Sequence, residues 1–553
     1  MLDWVPEGHA VRVVIGTAEG LMTAELAGRL VPATERGSAA GPARYDPVML
    51  LTVWMYAYLR GVLSTRAVED RCRYDATFRV ACGRLVPDHT TFSRFRQHLF
   101  AQDDLAEDLF YRVLHGCAGA GLGRLSVVAG DGVKIAANAS MQASRTEAGL
   151  RKLAAQVIAG ARKAAADEDA DQGVLPGTDL LLGGDTVPGP DPRSKAGRAL
   201  ACLADLAAER EAAEAAAREQ GQAYLDAVAA GTVTGRPPAG VALAAAQLRL
   251  EDAIAAEAAV LADWQARRAA GQRLSRPPAQ PGTGKKARKA RARLEALQAA
   301  AAAEGQAGDG KNAEGQAGDG KKEPRPRRNV TDPDSRLLPV RGGGFTQGYN
   351  CQDVTADDRL MLGGYACQDT GDARQAQRLA QVAEKGAAVV AAGHAAHAAD
   401  PALLTRCHDR MCTLPGKDKH DPGHDPAACH HAMTSGIGVL VQDAGYHSEA
   451  NLAAPGPDRL IADAKTRDLA RREPAAGPPP DGATPVQANA HRLATPEGRA
   501  LYKRRAPDIE GLHASLKDNG ALRRLHLRGL HNATSEFLFA GLAHNLRLKA
   551  AIS

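Results

Sequence analysis

Two apolar, β-branched runs that each end in an aspartate constrain this chain most. LSVVAGDG (residues 125–132) reads as a buried strand closed by an Asp-Gly turn, and IGVLVQDAGY (437–446) as a second buried strand ending in Asp443. Carboxylates at strand ends project into the crevice where open α/β sheets bind ligands. Between the runs the character of the sequence changes. ARKAAADEDA, LADLAAEREAAEAAAREQ and LEDAIAAEAAVLADWQARRAA are helical and amphipathic, and read as an inserted helical hairpin or coiled-coil arm. They are followed by a tandem ten-residue repeat, AEGQAGDGKN at 303–312 and AEGQAGDGKK at 313–322. Such polar low-complexity sequence cannot bury enough to fold, so mobility is expected over about 304–326.

The flanking regions carry their own patterns. Pro47 opens VMLLTVWMYAYLRGV, whose apolar residues fill more than one helical face and so predict burial. In PDHTTFSRFRQHLF, Asp88 or Thr90 caps a new helix, placing Thr91, Arg94 and Arg96 near its start, where a recognition helix meets DNA. After residue 340, GYNCQDVTADDRLMLGGYACQD reads as a hairpin turning at Ala356-Asp357-Asp358, with Cys351 and Cys367 as small packing residues on opposite strands. GDARQAQRLAQVAEKGAA reads as a helix capped by Asp372, and LIADAK (460–465) as a further strand. A helix is expected from near Pro507, and TSEFLFAGLAHNLRLKAAI closes the chain as another. The expected organisation is an N-terminal all-α, DNA-binding domain over 1–120, an α/β RNase H-like catalytic core over 121–140 and 326–553, and a helical insertion over 141–325 after the first core strand.

Composition narrows the partners. At 553 residues the chain has room for three or four structural units at roughly 150 residues each. The net charge is +5, but Lys and Arg gather between Arg273 and Arg328 and between Lys503 and Lys549, the footprint of a phosphate-backbone partner. MLDWVPEGHA lacks a charged segment leading into an apolar run, and no apolar stretch reaches the roughly 18 residues of a membrane helix. With nine cysteines in no framework spacing, the expectation is a cytoplasmic, nucleoid-associated protein with free thiols and no membrane segment.

Three carboxylates carry the expected chemistry: Asp131, Asp443 and Glu510, the last in the first turns of the helix expected from Pro507. Hard oxygen ligands of this kind suit Mg²⁺ or Mn²⁺, and two such ions can activate an attacking oxygen and stabilise a leaving one. Helical spacing puts Glu510, His513 and Lys517 on one face. A stretch from His394 to His431 is rich in His and Cys, and Cys407, Cys412 and Cys429 with His430 offer a tetrahedral Zn²⁺ set, looser in spacing than a zinc ribbon; a surface loop with incidental His and Cys is the simpler reading. Asp332 and Asp334 read as a turn.

Five segments in order resemble the DDE-type insertion-sequence transposases of the InsH-like group. They are DPVMLLTVWMYAYLRGVLSTRAVEDRCRYD with PDHTTFSRFRQ, AGDGVKIAANAS, TDPDSRLLPVRGGGFTQGYNCQ, QDAGYHSEANL, and YKRRAPDIEGLHASLKDNGALRRLHLRGL with AHNL. The resemblance implies Asp131, Asp443 and Glu510 as catalytic metal ligands. It implies that Tyr502, Arg505 and Lys517 bind or position DNA near the cut. It also implies cleavage of double-stranded DNA at the element's terminal inverted repeats and transfer of a 3′-hydroxyl strand to target DNA, with two protomers joining two ends. Val133 stands where the family commonly has Thr, and Gly511-Leu512 where it often has Pro and Phe. A degenerate relative that binds without cutting, and an RNase H-like nuclease without strand transfer, are the competing expectations. For the 141–325 arm, dimerisation and DNA clamping both stand open.

Overall fold

The computed structural model describes residues 5–31, 45–171, 194–232, 237–238, 240–274, 276–308, 326–340, 342–397 and 436–552. These form two units, one built from Met1–Gly149 with Arg327–Ser553, the other from Leu150–Pro326. In the first unit a mixed sheet lies beside a helical N-terminal region.

Strand β1 (Val127–Ala136) is the hub of the sheet, which also contains β4 (Arg336–Pro339), β5 (Phe345–Ala356), β6 (Met361–Cys367), β7 (Val439–Gln442) and β8 (Arg459–Ile461). The order is β4–β5–β1–β7–β8, with β6 also paired to β5. β1 pairs antiparallel with β5 along nine residues, and parallel with β7 only from Val127 to Gly130. β7 and β8 are parallel, and β5 and β6 antiparallel, joined by a turn through Asp357 and Asp358 as the sequence predicts. A short pair, β2 (Ser144–Thr146) with β3 (Arg327–Asn329), ties the chain together where it leaves this unit and returns.

The Asp-Gly turn expected after Asp131 does not form. β1 runs on to Ala136, and Gly132 serves close packing instead: a Cβ there would stand 2.5 Å from Gln352 Nε2 and 2.6 Å from Asp372 Oδ1.

Among the described residues seven helices precede β1: α1 (Ala10–Leu21), α2 (Ala24–Leu30), α3 (Pro47–Leu59), α4 (Thr65–Tyr74), α5 (Ala76–Ala81), α6 (His89–Ala101) and α7 (Leu105–Ala118). Pro47 begins α3 at the position where its missing N–H costs nothing, and Asp46 accepts the Val48 N–H. α3 is buried continuously from Leu50 to Leu59, as its all-round apolarity demands.

The second unit contains most of α8 (Glu147–Asp171), then α9 (Lys195–Ala229), α10 (Ala242–Ala269) and α11 (Lys285–Gly308). α10 packs on both α9 and α11. The Glu257 carboxylate on α10 accepts the N–H groups of Gly282 and Gly284 just before α11. α11 extends into the first decapeptide repeat as far as Gly308; residues 309–325 lie outside the described residues.

Helix α12 (Ala376–His397) follows β6, and α13 (Glu449–Ala453) and α14 (Thr466–Ala470) are short. α15 (Pro485–Ala494) and α16 (Pro496–Ala514) precede the closing helix α17 (Leu530–Ile552). α16 starts eleven residues before the Pro507 start that the sequence suggests, because Thr495 caps it and Pro496 takes its first position; Pro507 sits inside it.

α17 joins the helical region to the sheet. It packs on α3, α6, α7 and β6. Aromatics are only 4% of the chain, yet Tyr58, Phe100 and Phe539 meet one another edge-on at centroid distances of 5.1–6.2 Å. Beneath them the fully buried Glu536 accepts the Tyr58 hydroxyl (3.1 Å) and the backbone N–H groups of His526 and Leu527. Burial, then the Glu536 charge, pushes the Tyr58 hydroxyl well above its ordinary pKa.

Tyr58→Phe is expected to lower stability by about 1–2 kcal/mol, because it removes one donor to a carboxylate. Glu536→Ala is expected to cost about 3 kcal/mol or more, since it leaves a cavity and unpaired N–H groups. Guanidinium midpoints at constant slope check both. A pH effect arises at His544, whose Nε2–H donates to the Arg359 carbonyl while Nδ1 accepts from Ser515. Burial depresses its pKa from 6.5 to about 4. The folded state therefore resists protonation, so its stability contribution is present above pH 6.5 and is lost as pH falls toward 4. Wild type is expected to lose up to about 3 kcal/mol more than His544→Gln over that window, measured by denaturant midpoints at pH 7 and pH 4.5.

Candidate carboxylate site

Where β7 ends beside the middle of β1, Asp131 and Asp443 come together. Asp443 is the first residue after β7, and the parallel pairing stops at Gly130–Gln442, one residue before each aspartate. Arg505 on α16 bridges them, 2.6 Å from Asp131 Oδ2 and 3.7 Å from Asp443 Oδ2. Asp131 also accepts the N–H of Gly132, and Asp443 that of Gly445. The Asp131 side chain is 18% exposed and that of Asp443 39%, so the pair opens to solvent on the Asp443 side.

Charge is concentrated here. Burial raises the pKa of Asp131 against the pull of Arg505 and His513, and burial together with the Asp131 charge raises that of Asp443. Burial alone would lower the Arg505 guanidinium, but the two aspartates hold it above its ordinary value. Tyr502 is half-buried one turn before Arg505, its hydroxyl raised by burial and by Asp443 against Arg505.

Two further carboxylates surround this pair: Asp353, which the sequence reading did not single out, and Asp372, which it read as a helix cap. Asp353 is fully buried on β5, directly opposite Asp131 in the β1–β5 register. One of its oxygens binds His513 Nε2 at 2.9 Å and the other has no hydrogen-bond partner among the described residues. His513 stays above its ordinary pKa because Asp353 outweighs its burial. Asp372 makes no side-chain cap for the turn that precedes α12, contrary to expectation. Its carboxylate instead accepts from Asn350 and Gln352, both at 2.8 Å, while Tyr446 donates to the side-chain oxygen Oε1 of Gln352. A Cβ at Gly445 would lie 2.9 Å from Asp443 Oδ1 and 3.2 Å from Asp372 Oδ2, so that glycine lets the two carboxylates share one edge. The signal for both was the polar sequence Asn350, Gln352 and Asp353 inside β5, a strand buried from Gln347 onward. Buried polar groups need partners, and these find them around the pair.

Glu510 is not brought to the pair. It lies exposed on α16, five residues past Arg505 and so about 140° around the helix, with no hydrogen bond or ion pair among the described residues. The single face expected for Glu510, His513 and Lys517 is also broken, because the chain widens into a π-helical turn at Ser515–Asn519. Lys517 is half-buried toward Cys351 and Asp353, and its pKa is lowered by burial and by Arg523. In the N-terminal region Asp88 caps α6 as predicted, accepting from Thr90 and Thr91. Arg94 is exposed, but Arg96 is 8% exposed: it donates to the Leu63 carbonyl and lies 4.8 Å from the Trp54 ring. That side chain is held inside the fold.

The donor set at Asp131 and Asp443, hard oxygens raised in pKa by burial and by neighbouring carboxylates, fits a divalent cation of the Mg²⁺ or Mn²⁺ kind. Among the described residues no group of three His, Cys, Asp or Glu is arranged to hold a metal. Of the His/Cys-rich stretch, His394 is buried in α12 against the Leu122 carbonyl. Cys407, Cys412 and Cys429 lie outside the described residues, and the six cysteines within the description are buried free thiols. No helix among the described residues is long and apolar enough to cross a membrane.

Gly132→Ala is expected to push its methyl into Gln352 and Asp372, breaking the bonds that hold the Asp372 carboxylate. A loss of about 1–3 kcal/mol in denaturant midpoint would register the overpacking; an unchanged midpoint would mean that the Gln352–Asp372 pair moves aside freely.

Comparison with known proteins bears on the two ends of the chain. Residues 1–98 match a transposase domain (DUF772), and residues 481–548 match a transposase DDE domain. The second segment contains α16 with Tyr502, Arg505 and Glu510, and Lys517 in the π-helical turn after it; Asp131 and Asp443 lie outside both. No curated protein and no solved structure matches the chain. One transposase domain at the start of the chain and a DDE domain near its end support an insertion-sequence transposase of the DDE type.

Proposed function

We propose that this transposase cuts double-stranded DNA at the terminal inverted repeats of its element and transfers the freed 3′-hydroxyl strand to target DNA, using Asp131 and Asp443 as the centre of the site. The observation that carries the proposal is the convergence of these two aspartates, far apart in sequence, on one guanidinium at the point where β7 stops pairing with β1. The strand order, with three antiparallel strands followed by two parallel ones, supports an RNase H-like reading of the core.

Asp131 and Asp443 would hold Mg²⁺ or Mn²⁺, with Glu510 as third ligand. Bound there, the cation would polarise the scissile phosphate and favour deprotonation of the attacking oxygen. The residues of the chain do the rest. Arg505 neutralises the aspartates in this structure, and its planar fork suits a phosphate as well as a carboxylate, so it exchanges one for the other when DNA enters. Tyr502, Lys517 and the exposed Arg94 position the strand. In the cut, the oxygen of water bonds phosphorus as the 3′ oxygen leaves with a proton, giving a 3′-hydroxyl and a 5′-phosphate. In the transfer, that 3′ oxygen loses its proton and bonds a target phosphorus as the target's own 3′ oxygen leaves with a proton, so one phosphodiester replaces another. Two protomers would bring two element ends together.

The position of Glu510 away from the pair favours one alternative, a protein that binds element ends without cutting them. One assay separates the two: cleavage and joining of the element's own ends in Mg²⁺ and in EDTA. Asp131→Asn, Asp443→Asn and Glu510→Gln are each expected to reduce product at least 100-fold while leaving DNA binding in place, an effect of about 2.7 kcal/mol or more. Product from Glu510→Gln at the wild-type rate removes Glu510 from the ligand set. Binding without product from wild type establishes the alternative.

A further inference from the structure

Beyond the carboxylates, β1 leads to a second feature. The loop after α16 returns to the sheet at the far end of β1: Ala136 bonds the Arg523 carbonyl, Leu525 bonds the Ala136 carbonyl, and Asn138 donates to the carbonyl of His526. This fixes Arg524 and Arg528 on the rim of a groove of about 450 Å³, lined otherwise by Met141 and by polar or small residues including Ser140, Thr331 and Thr346. Among the described residues no carboxylate lines it. Arg524 is exposed, and its guanidinium has no protein partner among the described residues. Arg528 is exposed too, anchored through Nε to the Asn138 carbonyl, with the buried Asp332 within electrostatic reach. The anchor holds one guanidinium at the mouth while leaving its terminal nitrogens to a ligand.

We infer that this groove is a docking site for the phosphate backbone of duplex DNA, continuing the DNA path away from the Asp131–Asp443 pair. The inference rests on the transposase reading of that pair. Two cations over hydroxyl and amide groups, with no competing anion on the lining, match phosphate oxygens in charge and in hydrogen-bonding sense. The spacing also fits. Ala136 stands five residues beyond Asp131, roughly 17 Å along a strand at about 3.3 Å per residue. That is the length of about five base-pair steps at 3.4 Å each. Backbone contacts at such a distance set the register of the duplex over the cutting site without reading its sequence.

The test uses the full chain and a fluorescent 30-base-pair duplex of random sequence, titrated by anisotropy at several salt concentrations. Wild type is compared with R524Q/R528Q and with T346E, which adds a negative charge to the groove and removes no native bond. Thermal midpoints check folding. Loss of two phosphate contacts is expected to flatten the slope of log affinity against log salt by about two units in R524Q/R528Q, and T346E is expected to weaken binding with an unchanged midpoint. Should R524Q/R528Q unfold, T346E decides. Wild-type slope and affinity in folded variants overturn the inference and leave the transposase reading intact. A wild type that binds no duplex overturns both.

Discussion

The pairing of β1 with two neighbours of opposite sense organises this structure. β5 runs antiparallel along almost its whole length, while β7 runs parallel for four residues and stops. The early stop leaves Asp131 in mid-strand with a free flank, and the first residue past the end of β7, Asp443, takes that space. Close packing then refines the arrangement. A Cβ at Gly130 would lie 2.9 Å from Leu379 of α12, and one at Gly132 would enter the Asp372–Gln352 bond. These two glycines serve contact between neighbouring elements rather than turning the chain.

Charge balance is the second theme. Asp131, Asp353, Asp372 and Asp443 gather within and beside β1, β5 and β7, and burial makes their repulsion costly. Arg505 and His513, both from α16, supply the opposing charge, with Lys517 just beyond. α16 is therefore the element that makes the acidic cluster tolerable. The same helix belongs to the matched DDE segment, so the counter-charges and the family signature coincide in sequence while the two central aspartates lie elsewhere.

Much of this was legible in the residues. Strands at 125–132 and 437–446, the hairpin around Asp357, the buried α3 and the long helical insertion all follow from hydrophobic period, caps and turn residues, which act over a few positions. Asp353 and Asp372 were less legible. A buried strand containing Asn, Gln and Asp signals that polar partners exist, but not which ones, because those partners come from β1, α12 and α16. Arg96 and Arg94 are two residues apart on one short helix, and sequence alone treats them alike. Packing against Trp54 separates them.

The sequence by itself determined the element types, the transposase kinship, and Asp131 and Asp443 as strand-borne acids, because each depends on local pattern. Only the tertiary structure decided that β1 continues past Asp131, that Arg505 links the two aspartates, and that Glu510 stands away from them. Those outcomes depend on where β7 stops and how α16 is rotated. Both are fixed by contacts between segments remote in the chain, which no local period encodes.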